Sequence, residues 1–164
     1  NVQWWETGRF RMERKIQAAP RNKGWVDHMV DMHTGEHVAV KNVPTDWICT
    51  CHEAFMKEHP NETERPWVDI GCTLLLTSIM YPYVCPIVGL FRDQSVFRIA
   101  SELATEGDLF EWCADCKETP GPAREALIRP IARQMMDAVR LLHDFSIVHR
   151  DISVENILIT RSPG

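Results

Sequence analysis

The chain has 164 residues, a quarter of them charged, and a formal net charge of −5, which fits about one ordinary globular domain. Its acidic balance, with Lys and Arg scattered and no basic run longer than "RMERK", sets nucleic-acid binding aside as a function class. No apolar run approaches the roughly 18 residues of a membrane span, and the opening "NVQWWETGRF" lacks the basic-then-apolar layout of a signal peptide.

Residues 1–9 read as an N-terminal extension. "RFRMERKIQAA" alternates imperfectly and predicts a strand, and "WVDHMVDM" predicts a second. "HTG" supplies a turn. "EHVAVKNV" follows as a third strand, rich in β-branched residues at Val38, Val40 and Val43. The three form an antiparallel meander. From Glu64 to Met80, Trp67, Val68, Leu74, Leu75, Leu76 and Ile79 suit a helix better than a strand. "PIVGLF" and "VFRIASEL" predict two further strands. Asp108 opens "GDLFEWCADC", where a carboxylate suits a helix start.

"REALIRPIARQMMDAVRLLHDF" carries the strongest helical signal. Leu127, Ile131, Met135, Ala138, Leu142 and Phe145 recur every three or four residues and predict one buried stripe. Pro130 costs about 3 kcal/mol in a helix interior, so a kink or a late start is expected there.

The six cysteines include a C-x-x-C at Cys113 and Cys116 and a pair at Cys49 and Cys51. The gap from Cys51 to Cys113 is too long for a local zinc finger. Reduced thiols in an intracellular, cytoplasmic protein are the expectation. The sequon "NET" at Asn61 says little without a secretory signal.

"IVHRDISVENILIT", residues 147–160, sets a His, an Arg, two acids and an Asn between two apolar runs. Those runs predict short strands, and a polar loop held between strands fixes functional side chains on a rigid frame. Asp151 and Asn156 stand where both can face one ligand. "HRDISVEN" resembles the catalytic loop of eukaryotic-type protein kinases, His-Arg-Asp with Asn five residues after the Asp. The resemblance implies that Asp151 is the catalytic base and Asn156 a Mg2+ ligand, with His149 orienting the loop and Arg150 clamping the activation segment. Ser153 departs from the family, which usually has Lys there.

"VAVK" resembles the third-strand lysine motif of the same family and implies that Lys41 contacts the ATP phosphates. Counting back from Lys41 by family spacing, the third glycine of the phosphate loop falls on Gly24 and the following Val on Val26. The first two glycines fall on Ala19 and Arg21, so this loop is glycine-poor. Asp69, with Glu64 next, is the expected acidic partner of Lys41, because the usual position falls on Cys72. The resemblance further implies Ser101 as gatekeeper and backbone contacts to adenine from Glu102 and Ala104. Asp108 would lie near the ribose. Val26 and Ala39 would pack above the base, and Leu158 and Leu109 below. A closer likeness to the FIKK-type kinases is carried by "VPTDW" and "SEL", although the motif that names that group is not kept around Lys41.

The expected fold class is α+β and protein-kinase-like: a five-stranded antiparallel small lobe with one main helix and the hinge over 10–104, then the start of a helical large lobe over 105–164. The resemblance implies an incomplete kinase domain, since no Asp-Phe-Gly occurs in the chain. The function it implies is ATP-dependent phosphorylation of Ser or Thr on protein substrates, by a full-length protein of which this chain is an inactive piece. The alternative is a pseudokinase that binds partners, favoured by Ala19, Arg21 and Ser153. A small-molecule phosphotransferase fits "HRD" less well.

Overall fold

The computed structural model describes residues 1–20 and 23–161. The chain divides into two compact units, Asn1–Leu103 and Ala104–Gly164. The first unit is organised by one strand, β4 (His37–Pro44). Successive side chains of a strand point to opposite faces. Val38 and Val40, 1% and 0% exposed, turn to one face and pack with Phe10, Met29, Phe91 and Ala100. Val43 turns to the other face and packs with Trp47, Ile70, Leu90 and Phe97.

β4 lies between β3 (Gly24–Asp31) and β6 (Val96–Glu102), antiparallel to both. β2 (Phe10–Ala19) pairs with β3 and β5 (Ile87–Arg92) with β6, again antiparallel. These are the five expected strands. The sheet has a sixth, β1 (Val2–Trp4), which runs parallel to β5 and gives the order β1-β5-β6-β4-β3-β2. A strand of three residues is too short to show alternation, so the sequence pattern could not reveal it. Its anchor is the next residue. Trp5 stacks on Phe10 at 4.8 Å, meets the edge of Phe91 at 5.7 Å, and carries the Arg98 guanidinium 4.3 Å from its ring.

Arg9 closes the same corner by donating to Asp31, with Nη2 2.9 Å from Oδ2. Asp31 is 1% exposed. The Arg9 hydrogen bond outweighs burial and holds the Asp31 carboxyl below its ordinary range, with the His33 amide adding to the effect. Gly89 on β5 is required by its neighbour, since a Cβ there would meet the Phe91 ring at 2.6 Å.

Two short helices that sequence periodicity does not reveal, α1 (Thr45–Ile48) and α2 (His52–Glu58), place Trp47, Ile48 and Phe55 in the core. They are too short for a 3.6-residue period to register. α3 (Pro66–Ser78) is the expected main helix, with Pro66 in its first turn. It buries Ile70 and Leu76, while Val68, Leu74, Leu75 and Ile79 stay between 39% and 50% exposed. Its apolar residues lie around the whole helix, so sequence alone does not select the buried side.

In the second unit, α4 (Leu109–Asp115) precedes α5 (Pro122–Asp144). α5 starts early rather than late, so Pro130 lies in its interior. The expected stripe is graded: Leu142 is buried, Ile131, Met135 and Ala138 are half-buried, and Leu127 and Phe145 are exposed. The two strands expected around "HRDISVEN" do not form. Ile147 and Val148 lie in irregular chain, and Leu158 makes only an isolated bridge to Asp108. All six cysteines are free thiols. Among the described residues no helix is long and apolar enough to cross a membrane.

Phe91 links Trp5, Phe10 and the β4 valines. Phe91→Ala is expected to cost about 3–5 kcal/mol, the range for emptying an aromatic site in a core. Val88→Ala, on the same strand and 39% exposed, is expected to change stability by only about 0.5 kcal/mol. Urea unfolding of both variants measures the contrast.

Candidate active site

The strand register gathers residues that are far apart in sequence. Lys41 sits opposite Val26 on β3 and Ile99 on β6. Ala39 sits opposite His28 and Ser101. Residues directly opposite in a ladder share a face. Val26, Ala39, Lys41 and Ser101 therefore form one patch, on the face away from Val38 and Val40. The patch offers a cation beside small and apolar groups. The Ser101 hydroxyl donates to the Ala39 carbonyl at 3.4 Å. Ile70 of α3 packs with Val43, Leu90 and Phe97, so α3 covers this same face further along the sheet.

Gly24, at the start of β3, is buried and pairs with Ala19. Arg21, assigned to the phosphate loop, lies outside the described residues. Lys41 is exposed and makes no ion pair among the described residues, so neither Asp69 nor Glu64 neutralises it. Asp69 is exposed on the first turn of α3, and Cys72 is half-buried one turn further on. At the end of β6, the Glu102 amide donates to Pro86 O at 3.0 Å, so that amide is already engaged. Burial, with the Glu102 charge adding, pushes the nearby Cys85 thiol up. Ala104 opens the second unit and is half-buried.

The second unit holds the polar loop. The chain leaves α5 through Ser146, whose φ is +59°, with Ile147 donating to Leu142 O at 2.9 Å. Arg150 has φ +70°, a left-handed conformation that costs a non-glycine residue about 1–2 kcal/mol. The Asp151 amide donates to His149 Nδ1 at 3.3 Å. Val154–Asn156 form one 3-10 turn. That turn brings Asn156 back onto Asp151: its Nδ2 donates to Asp151 Oδ2 at 2.9 Å and to Asp151 O at 3.0 Å. Both Asn156 bonds use the amide nitrogen, which leaves Oδ1, a hard oxygen donor of the kind magnesium takes. Among the described residues no three His, Cys, Asp or Glu side chains converge on a metal position, but magnesium binds through one or two protein oxygens together with substrate phosphates.

Three backbone bonds stitch the residues after the loop to residues 106–109, which lead into α4. Leu109 N donates to Ile157 O at 2.8 Å, Glu106 N to Ile159 O at 3.0 Å, and Ile159 N to Gly107 O at 2.9 Å. Gly107 has φ +75°, a left-handed conformation that favours glycine. Asp108 caps α4, its Oδ1 accepting from the Glu111 amide at 2.8 Å. Leu158 is 53% exposed and Leu109 is buried at 5%, so of this pair only Leu158 presents its side chain. Sequence reading missed one cluster of chemical interest, the contact between His28 and His37 across the β3–β4 turn. Its signal was available, since both histidines fall on the Ala39 face once the hairpin register is fixed.

Comparison with known proteins gives the family and the fold. The family described as "Protein kinase domain" matches residues 22–163, and the chain belongs to that family. Over 156 residues it is 28% identical to the serine/threonine-protein kinase ppk25 of Schizosaccharomyces pombe, covering 95% of this chain and 32% of that protein. It is 37% identical over 90 residues to a calcium/calmodulin-dependent protein kinase of Metarhizium anisopliae, covering 54% of this chain and 22% of the relative. The fold resembles a crystal structure of Rad53 in complex with AMP-PNP, with a TM-score of 0.64 and 22% identity, over 93% of this chain and 35% of that one. The chain spans about a third or less of the length of the two sequence relatives.

Loss of the helix cap gives a test of the stitched segment. Asp108→Ala is expected to destabilise the second unit by about 1 kcal/mol, while Asp108→Asn retains most of the cap. Chemical unfolding without nucleotide, followed on both variants, reads the difference.

Proposed function

We propose that the full-length protein is an ATP-dependent protein kinase that transfers the γ-phosphoryl group to Ser or Thr hydroxyls of protein substrates. The observation that carries this reading is the Asn156 amide bonded to the Asp151 carboxylate at 2.9 Å. It holds one carboxylate oxygen in place, and the other remains to accept a substrate hydroxyl proton. A carboxylate positioned within hydrogen-bond reach of a hydroxyl can act as its general base. The names of the relatives, both protein kinases, support the same reading.

On the strand face, Ala39 and Val26 would pack against the adenine ring, and Lys41 would meet the phosphate charge. Glu102 and Ala104 would supply the backbone groups that orient the base. Asn156 Oδ1 would hold Mg2+, which neutralises charge on the phosphates when bound. Phosphoryl transfer rests on positioning and charge stabilisation more than on covalent chemistry by the protein. An Asp-Phe-Gly aspartate is absent from the 164 residues, so transfer is assigned to the full-length protein. The six free thiols support a cytoplasmic setting.

A second reading is a pseudokinase that binds partners without transferring phosphate. The absence of an ion pair on Lys41 among the described residues favours it, together with Cys72 at the usual position of the lysine's acidic partner and Ser153 in place of the loop lysine. Asp151→Asn separates the two. On the kinase reading, the full-length variant loses transfer of labelled phosphate by at least a hundredfold, the low end of a general base's contribution. Its ATP affinity stays close to wild type, while Lys41→Met weakens ATP binding. Equal turnover of wild type and Asp151→Asn would remove Asp151 from its role, and absence of turnover in wild type itself would favour the pseudokinase.

Ser101 gives an independent test of the strand face. A serine at the gatekeeper position leaves space behind the adenine, and apolar surface buried there contributes about 25 cal/mol per Å². An adenine-like inhibitor carrying a bulky aromatic group is expected to bind the full-length protein well. Ser101→Met is expected to weaken it at least tenfold, about 1.4 kcal/mol, and to spare ATP. Unchanged affinity for the bulky compound in competition binding would place Ser101 outside the nucleotide pocket.

A further inference from the structure

His28 on β3 and His37 at the start of β4 meet across the hairpin. His28 Nε2 and His37 Nδ1 are 2.7 Å apart, with ring centroids at 4.9 Å and rings inclined by 49°. The register sets His28 opposite Ala39 and His37 opposite Val30, so both imidazoles lie on the Ala39 face. A contact this short between ring nitrogens requires one donor and one bare lone pair, because two imidazolium rings have no acceptor. One proton thus lies between two nitrogens whose lone pairs point at nearly the same place.

We propose that His28 and His37 form a two-histidine site for a borderline divalent transition metal ion such as Zn2+ or Cu2+. Imidazole nitrogens suit these ions. On binding, the donor ring gives up the proton between the rings to solvent and takes one up on its other nitrogen, so both rings stay neutral and each facing nitrogen donates its lone pair to the ion. Zinc–nitrogen bonds of about 2.0–2.1 Å at a tetrahedral angle set the two nitrogens about 3.3 Å apart, so the rings need to separate by about 0.6 Å. His37 is exposed and stands at the end of its strand, so its ring can make that move. Water would complete the coordination, since among the described residues no third protein ligand converges there.

The surroundings favour neutral imidazole, the form that binds metal. Burial, with His37 and Arg14 adding, holds the His28 ring below its ordinary range, and Glu13 opposes them. Arg14 lies opposite His28 on β2, and Glu13 is the unpaired residue of the neighbouring irregularity. Glu13 is itself ion-paired to Arg11 at 2.8 Å, so its pull on His28 is weakened.

The test is zinc titration of the full-length protein, free of nucleotide, against a chromophoric chelator, alongside His28→Gln and His37→Gln. Wild type is expected to bind one ion at least tenfold more tightly than either variant. Its affinity should fall as pH drops, because protons compete with the ion for the imidazole lone pairs. The proposal is overturned if the variants bind zinc as wild type does, or if wild type takes up none. Circular dichroism checks that the variants fold. His37 is exposed, so His37→Gln decides the matter alone if His28→Gln does not fold. The result is independent of phosphoryl transfer, so failure of this site and failure of the kinase reading are separate outcomes.

Discussion

Everything in the first unit depends on the two-residue alternation of β4. Its inward valines, Val38 and Val40, are almost fully buried against Phe91, Phe10 and Met29. That burial fixes which face the strand turns to the core, and so fixes which face carries Ala39 and Lys41. A slip of one residue would reverse both sets at once. The register is held by ladders on both sides, by the Ser101–Ala39 hydrogen bond and by the aromatic group around Trp5. The position of a charged residue on the site face is thus a consequence of where apolar residues are buried on the opposite face.

The second unit reaches local order by another route. Its loop around Asp151 has little buried apolar surface of its own, since Val148, Ile152, Val154 and Leu158 are each at least 40% exposed. Hydrogen bonds take over the work. Asn156 fixes Asp151 directly, and three backbone bonds tie residues 157–159 to 106–109. The left-handed conformation at Arg150 is tolerated because these bonds define the chain on the C-terminal side of it.

Much of this was legible in the sequence, and what was not has physical reasons. The five longer strands showed themselves through β-branched, alternating residues such as Val38, Val40 and Val43. The main helix and the long helix showed themselves through apolar spacing. The six-residue span from Asp151 to Asn156 named the loop. β1 was hidden because three residues carry no period, and its placement comes from Trp5, whose contacts are non-local. The short helices at Thr45–Ile48 and His52–Glu58 were hidden for the same reason. The apolar runs at Ile147 and Ile157 read as strands by composition, yet hydrogen bonding around Asn156 and Gly107 sets their course instead. The expected Lys41–Asp69 pair does not form among the described residues, because side-chain pairing between a strand and a helix depends on rotamers that residue spacing does not encode.

We propose that a nucleotide lies on the β4 face bearing Ala39 and Lys41, beside the Glu102 end of β6. Amide hydrogen exchange of the full-length protein, with and without magnesium and a non-hydrolysable ATP analogue, tests it most directly. Nucleotide is expected to slow exchange at residues 24–26, 39–41 and 102–104, and to leave the β1–β5 edge unchanged. Nucleotide binding with no added protection in those three segments would contradict it.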